Sequence, residues 1–533
     1  MSSSKKEIKY ILAHDHGTSG SKAAIVSTHG EVLDFEFEET PLYLFPGGGA
    51  EQNPEEWWNA IIKTSKRLLD KELVPVEDIV AVCCSSQWSG TVPVDKDGNN
   101  LGNAIIWMDS RGEPYVKKLV KGRILNISGY GLYKVLFKWI KRTAGAPSRS
   151  GKDSIAHILY IKNELPDIYR KTYKFLECID YLNLKFTGKF AASYPSSMLN
   201  WITDTRDLNN IHYDDDLIKM SGIEKEKFPD LKRCIDILGP IKNDIADELG
   251  LEKDTKVVMG APDIPAAVIG SGAIENYKGH IYIGTSSWVT CHVPYKKTDI
   301  NHNMASLPSA IPDKYMIADE QETAGACLSF LRDNLLYHKD ELLREEQLPD
   351  VYKIFDKIVE TVPAGSNKLI FTPWLYGERT PIEDHTVRAT FFNISLNSTR
   401  AEMIRAIYEG VAFNSRWVLM YVEKFIGGRK LQPLNMIGGG ANSNIWCQIY
   451  ADVLNRTTRQ VKDPIQANAR GAGFIAAVAL GYITFKDIPK LIQFSNEYKP
   501  NPKNRKIYDE LFKEFLNIYE NNKKLYQRLN KIS

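Results

Sequence analysis

Near its start the chain changes hydrophobic period several times, and each change marks an element. YILAHD is apolar and rich in β-formers, GTSGS supplies a tight turn, and KAAIVS restarts the apolar run. Lys9 to Ser27 therefore reads as a β-hairpin. EVLDFEFEE alternates apolar and polar residues and predicts a third strand. PEEWWNAIIKTSKRLLDKEL shifts to helical spacing, with Asn53 placed as the cap and Pro54 at the first helical position. DIVAVCCSS then follows as a buried strand. The order β-β-β-α-β predicts a mixed sheet covered by helices.

A similar pattern recurs in the middle. KVVMGAPD is a strand entering a loop, and HIYIGTSSWVTCHV is again strand, Gly-Thr-Ser turn, strand. Two similar lobes, each offering a hydroxyl-rich hairpin to one ligand, would explain the repetition; a coincidence of common turn residues would too. The break between lobes is expected near Gly250 to Asp254. TRAEMIRAIYEGVAFNSRWVLMYVEKF and NSNIWCQIYADVLN read as late helices. KIYDELFKEFLNIYENNKKLYQRLNKI spaces Tyr, Leu and Phe at three and four residues, as in an amphipathic helix packing back on the body. Asp509, Glu510, Glu514 and Glu520 interrupt its basic face and argue against a membrane-surface helix. The expected units are an N-terminal lobe, 1–253, a C-terminal lobe, 254–490, and a C-terminal helical extension, 491–533.

Composition narrows the function. The 533 residues are 43% hydrophobic and 25% charged, an ordinary globular balance. The formal net charge is +2, from 68 basic and 66 acidic side chains, which leaves no broad footprint for nucleic acid. The seven cysteines are scattered and form no CxxC, so reduced, buried thiols are expected rather than disulfides or a zinc site. The start, MSSSKKEIKYILA, has no signal-peptide pattern, and no run of about 18 uncharged apolar residues occurs. A cytoplasmic protein without membrane contact is expected; a homodimer is left open.

Three segments carry parts suited to phosphoryl transfer, which needs immobilised phosphates, neutralised charge and an aligned base. In DHGTSGSK, Asp15 to Lys22, a glycine turn lets backbone N–H groups converge on anionic oxygens. Thr18, Ser19 and Ser21 add hydroxyls, Lys22 a charge, and Asp15 could hold Mg²⁺ through water. A plain hairpin with a capping Asp is the alternative, and the segment is not a Walker A motif. In GAPDIPAA, Asp263 stands where a strand meets a helix, placed either to take a hydroxyl proton or to cap the helix. In MIGGGANSNIW, three glycines between strand and helix permit close approach of a flat or charged ligand, or merely a tight crossing.

In order along the chain, these segments and several others resemble the FGGY carbohydrate kinase family. DHGTSGSK resembles its first phosphate motif, and GGAEQNPEEWW its V-E-Q-D-P-x-x-W-W segment. SSQWSGTVPVDKDGNNLGNAIIWMDSRG resembles its substrate loop, ending in W-x-D-x-R at Trp107, Asp109 and Arg111. CIDYLNLKFTG, GAPD, IGTSS, GERTPIED and GGGANSNIWCQIYADVLN resemble later family segments, so the likeness runs from Ile11 to about Gly481. It implies an α/β, two-lobed actin/hexokinase-like (ribonuclease H-like) fold, with mixed sheets flanked by helices and an interlobe cleft. It implies sugar and phosphate binding in the first lobe, and ATP binding with the catalytic Asp in the second. Asp263 would be the general base. ATP phosphates would meet Gly17, Thr18, Ser19, Lys22, Gly284, Thr285 and Ser286. Mg²⁺ would lie near Asp15, and adenosine against Gly439, Gly440, Ala441 and Asn444. The acceptor would meet Gln87, Trp88, Asp109 and Asp263.

The sequence departs from the family in places. Gln87-Trp88-Ser89-Gly90 stands where xylulose kinases carry Gln-Met-His-Gly and glycerol kinases an Arg-Glu pair. Trp88 would stack on a sugar or pack behind the loop. Asp263 is followed by Ile264-Pro265 rather than a polar residue, and Arg470 replaces a small or apolar residue, free to reach a phosphate or form a surface salt bridge. The expectation is an ATP-dependent kinase of a small sugar or polyol, nearest the xylulose kinase branch, with a ketopentose such as xylulose as acceptor. Ribulose, gluconate, glycerol or a sugar alcohol is the alternative acceptor, and a catalytically impaired ATP-binding sensor the alternative role.

Overall fold

The computed structural model describes residues 7–122, 125–127, 129–336 and 350–530, so the first six residues and the end of the expected last helix lie outside it. The opening pattern forms β1 (Tyr10–Gly17), β2 (Gly20–Ser27) and β3 (Val32–Glu39), then α1 (Pro54–Leu69) and β4 (Ile79–Ser86). Asn53 caps α1 by accepting from the Glu55 N–H, with Pro54 next and Lys66 and Arg67 at the far end, as the helix dipole favours. Trp57, Ile61 and Leu68 of α1 pack against Ala23 and Ile25 of β2.

β3 has the expected alternation but the unexpected facing. Leu33, Phe35 and Phe37 point to solvent, while Asp34, Glu36 and Glu38 turn toward α1 and pair with Lys71, Arg67 and Lys63.

Two more strands complete the first sheet, β5 (Ile237–Pro240) and β6 (Lys256–Pro262), in the order β5-β6-β4-β1-β2-β3. β6 runs parallel to β4, and β4 to β1. The division expected after residue 253 assigned β6 to the second lobe. Its ladder with β4 puts it in the first, because residues 250–255 form only the turn that returns the chain to this sheet. Asp263 at its end is therefore first-lobe.

The second sheet has eight strands: β7 (Gly279–Ile283), β8 (Ser287–Val293), β9 (Thr298–Asp299), β10 (Met304–Pro308), β11 (Tyr315–Gln321), β12 (Leu434–Ile437), β13 (Thr458–Val461) and β14 (Phe494–Tyr498). Their order is β9-β10-β11-β8-β7-β12-β13-β14. At its centre, β11-β8-β7 are antiparallel and β7-β12-β13 parallel. β3-β2-β1-β4-β6 of the first sheet repeat that arrangement. The two Gly-Thr-Ser turns are thus equivalent hairpins of two like lobes, not a coincidence.

In each lobe the last parallel strand feeds a helix: α2 (Asp263–Gly270) after β6, and α6 (Ala467–Ala479) farther along from β13. Between them in sequence lie α3 (Gly325–Leu331), α4 (Arg400–Phe425) and α5 (Asn444–Leu454). α2 and α6 cross in contact. A Cβ on Gly270 would lie 1.8 Å from the Ala467 carbonyl, and one on Gly471 2.0 Å from that of Ala266. Each helix presents an Ala and a Gly four residues apart, the spacing that lines up on one helical face. Around this crossing a single core joins both sheets, with Ile11, Val26, Ala267, Trp288, Ile437 and Phe474.

The tail only partly matches a helical extension. Phe494–Tyr498 is β14, the edge of the second sheet, and α7 (Arg505–Leu529) follows, burying Tyr508, Phe512 and Phe515 on α4. All seven cysteines are free and buried. Among the described residues no helix is long and apolar enough to cross a membrane.

Candidate active site

The ends of β1, β6, β7, β11 and β12 converge on one cleft. Asp263 opens α2 as its first helical residue; Pro262 holds the cap position, and Asp263 Oδ1 accepts the Ile264 N–H at 2.8 Å. The side chain is half-buried at the cleft wall. Burial, reinforced by the charges of Asp15 and Glu320, pushes its carboxyl up to about 8. The three carboxylates thus share one field, and a proton on Asp263 is poised near neutral pH.

At the first hairpin Thr18 is half-buried and Ser19 exposed, with the Gly17 side of the turn open. Thr18 Oγ1 donates to Gln87 Oε1 at 3.0 Å and accepts from Trp107 Nε1 at 2.9 Å. Gln87 Nε2 donates to Gln52 Oε1, and Gln52 Nε2 to the Thr18 carbonyl. Gln87 is therefore buried and hydrogen-bonded into the turn. Asp109 is likewise spent: it is 1% exposed, accepts from the Ala50 N–H, and takes Arg111 Nε at 2.9 Å. Lys22 lies 3.8 Å from Asp15 and donates to the Ile465 carbonyl across the lobes. Asn468 Nδ2, also from the second lobe, donates to Asp15 Oδ1 at 3.2 Å.

The second hairpin mirrors the first. Thr285 is exposed and Ser286 half-buried. The N–H groups of Ala324 and Gly325, at the start of α3, hold the Thr285 and Gly284 carbonyls at 2.8 Å. Gly325 must be glycine, since a Cβ there would meet the Gly284 oxygen at 2.5 Å. Next to the hairpin runs the glycine turn after β12. Gly438 has φ +87° with the Ile283 carbonyl 2.6 Å from its would-be Cβ, whereas Gly439 faces open space. Gly439 forms an exposed floor, backed by half-buried Gly440, whose would-be Cβ lies 2.4 Å from Ile283 Cγ2. Ala441 does not: it is buried beneath them, its carbonyl accepting from Gln460. Asn444 is exposed at the rim, bonded to the Tyr498 hydroxyl.

Trp88 packs half-buried against the interlobe core, with its N–H unpartnered. Arg470 is not on the surface. It is 5% exposed and ties the Gly30 carbonyl of the first lobe to that of Lys462 in the second.

The sequence pattern gave no role to the ion cluster around Glu320, which acts on Asp263. Arg379, from GERTPIED, holds Glu320 at 2.6 Å and Glu322 at 3.1 Å, and Lys152 lies 3.9 Å from Glu322. Burial raises Glu320, only partly offset by Arg379. Glu322 is also buried, but Arg379 and Lys152 more than compensate and leave its carboxyl lowered. The signal was faint: acids at alternate positions of ADEQE, and an Arg far downstream.

Among the described residues no group of three His, Cys, Asp or Glu side chains is arranged to hold a metal. Asp15 alone at the hairpin fits Mg²⁺, which takes one or two carboxylates and keeps its waters beside phosphates.

Comparison with known proteins agrees with this geometry. The model of the N-terminal domain of the FGGY family of carbohydrate kinases matches residues 10–270, and that of its C-terminal domain residues 279–480. The chain is 27% identical to the xylulose kinase of Bacillus subtilis (strain 168), over 97% of this chain and 98% of the relative. It is 27% identical to that organism's gluconokinase, over 96% and 95%. A ligand-bound xylulose kinase structure from Lactobacillus acidophilus superposes with a TM-score of 0.83 at 25% identity, covering 98% of this chain and all of that one. Gluconate kinase from the same organism gives 0.82, at the same identity and coverage. With both domain models spanning nearly the whole chain in order, the protein belongs to the FGGY family of carbohydrate kinases.

Proposed function

We propose that the chain moves the γ-phosphoryl of ATP onto a hydroxyl of a small sugar, a ketopentose such as xylulose or a related sugar or polyol, with Asp263 as general base. One observation carries this reading: a single half-buried carboxylate stands at the cleft wall within reach of Asp15 and Glu320. The two equivalent hairpins offer their N–H groups and hydroxyls to the phosphates, and the floor at Gly439 and Gly440 suits adenosine. Asp263 accepts the acceptor's proton as its oxygen attacks phosphorus. Mg²⁺ held near Asp15 would supply charge neutralisation on the phosphates. Lobe closure about the α2–α6 crossing excludes water, a competing acceptor.

Trp88 and Asp263 are left as the direct sugar contacts expected from the sequence, since Gln87 and Asp109 are committed internally. That favours a second reading, an ATP-binding sensor without turnover. An ADP-release screen over pentuloses, hexuloses, pentitols, glycerol and aldonates separates the two. Sugar-dependent release, greatest with pentuloses, is expected. Nucleotide binding without it supports the sensor.

A further inference from the structure

We propose that the acceptor is a neutral sugar or polyol bearing an apolar substituent, an alkyl or aryl group, on the part of its carbon chain remote from the phosphorylated hydroxyl. The inference rests on the kinase reading and deepens it by naming the substrate class. Its basis is a cavity of about 700 Å³ between the lobes. Ser89, Trp107, Lys152 and Arg379 line its polar end, where the Trp107 N–H reaches Thr18 of the first hairpin at 2.9 Å. Apolar side chains of both lobes also line it, Leu132, Leu136 and Leu199 from the first and Ile300 and Leu307 from the second, with Asp299 and Asn301 beside Ile300.

Size is the first argument. A pentulose has about ten heavy atoms; granting each the ~30 Å³ share of a liquid water, it fills roughly 300 Å³. That is less than half of the cavity, whose volume falls among those of sites for larger ligands. Surface chemistry is the second. A bare sugar would leave the leucines against water, and Ile300 is already 57% exposed. An apolar substituent takes that surface out of water. Charge is the third. Lys152 and Arg379 are the lysine and arginine among the described lining residues, and both are engaged by Glu320 and Glu322. With Asp153, Asp299 and Glu383 also in the lining, the acids outnumber these two cations and leave nothing to neutralise an aldonate, so the acceptor is neutral. His385 Nε2, also in this wall, is buried without a partner and offers a contact for a hydroxyl.

The test uses the full chain and matched acceptors: xylulose and xylitol against their mono-O-butyl and mono-O-phenyl ethers, substituted at either end. ADP release gives kcat/KM, and calorimetry without ATP gives binding. A phenyl ether should exceed its parent roughly ten- to a hundredfold, the worth of burying one aromatic ring. Leu136→Asn and Ile300→Asn, one in each lobe, should bring that ratio toward one. If the parents turn over and no ether does better, the inference is overturned while the kinase reading stands, and the apolar walls serve to meet each other on closure. If no acceptor turns over, yet the ethers bind better and both variants remove the advantage, the acceptor class stands and the kinase reading fails. If ethers show neither turnover nor preferential binding, the inference fails.

Discussion

Replacing Asp263 by Asn separates a base from a helix start, because the two roles predict opposite effects. Asn keeps an oxygen able to accept the Ile264 N–H, now 2.8 Å away, so α2 loses no bond. It removes a charge the fold disfavours. The folded carboxyl is pushed up to about 8, whereas the unfolded chain releases that proton near pH ~4. Between these limits the folded state holds a proton the unfolded state has lost. Stability from this group is therefore full below about pH 4 and falls as pH rises toward 8. At about 1.4 kcal/mol per pH step the loss by pH 7 is at most ~4 kcal/mol, and smaller where cleft water screens the charge. The Asn variant escapes it. Its Tm should match wild type near pH ~4.5 and exceed it by several degrees near neutrality, at about 2–4 °C per kcal/mol for a lobe of this size. Turnover should fall ~10²–10⁴-fold. In the wild type, a base of this pKa is about one-tenth ionised at pH 7 and nine-tenths at pH 9, so kcat/KM should rise about tenfold between them. Calorimetry and a coupled ADP-release assay in matched buffers read all three. Turnover within about threefold of wild type, or a variant less stable at every pH, would refute the assignment and leave Asp263 a helix-start residue.

Two further outcomes follow from the same geometry. Asp15→Asn removes one of the charges that raise Asp263, so the acid limb of the kcat/KM profile should move to lower pH; an unmoved limb would uncouple the two carboxylates. Gly471→Val places carbons where a Cβ alone would lie 2.0 Å from the Ala266 carbonyl. The α2–α6 crossing must then open, at a cost of about 1–3 kcal/mol, seen as a lower urea midpoint. An unchanged midpoint would mean the helices do not meet there.

Local pattern revealed elements well and their partners poorly. The hairpins, α1 with its Asn53 cap, and the α4 and α7 helices are set by neighbours in sequence, and period alone located them. Period could not say which face of β3 is buried. α6 covers β1, β2, β4 and β6, and the apolar side chains of β3 lie beyond it, while Arg67 of α1 and Lys71 just after it draw the acids inward. Nor could it show that β6 returns to β4, since parallel pairing joins residues far apart in the chain. The site divides the same way. Asp263 and the turns were legible as local motifs. The burial of Gln87 depends on Gln52 and Thr18, that of Asp109 on Ala50 and Arg111, and the ion cluster on Arg379 meeting β11 from far downstream. Such partners are fixed by tertiary packing alone.

The placement of Asp263 decides how the two halves divide the chemistry. Asp263, the proposed base, stands at the end of β6, in the sheet that carries the first hairpin and the Thr18–Gln87–Trp107 network. The second hairpin and the Gly439 floor belong to the other sheet, and Glu320 of β11 acts on Asp263 from it. Neither lobe holds a complete site, and the groups that would meet the acceptor and those that would meet the nucleotide approach one another only as the lobes do. What keeps their approach in register is a core shared at the helix crossing, with Arg470 and Lys22 bridging the lobes beside it. A shared, glycine-tight pivot permits rotation but resists sliding, since displacement along either helix drives Ala266 or Ala467 into its facing helix. On the proposed mechanism, closure would be a hinge about α2 and α6, and Asp263, being the first residue of α2, sits at that crossing. It would then move least as the cleft closes, and the proposed phosphoryl donor would be carried to an acceptor held by the first lobe against Asp263.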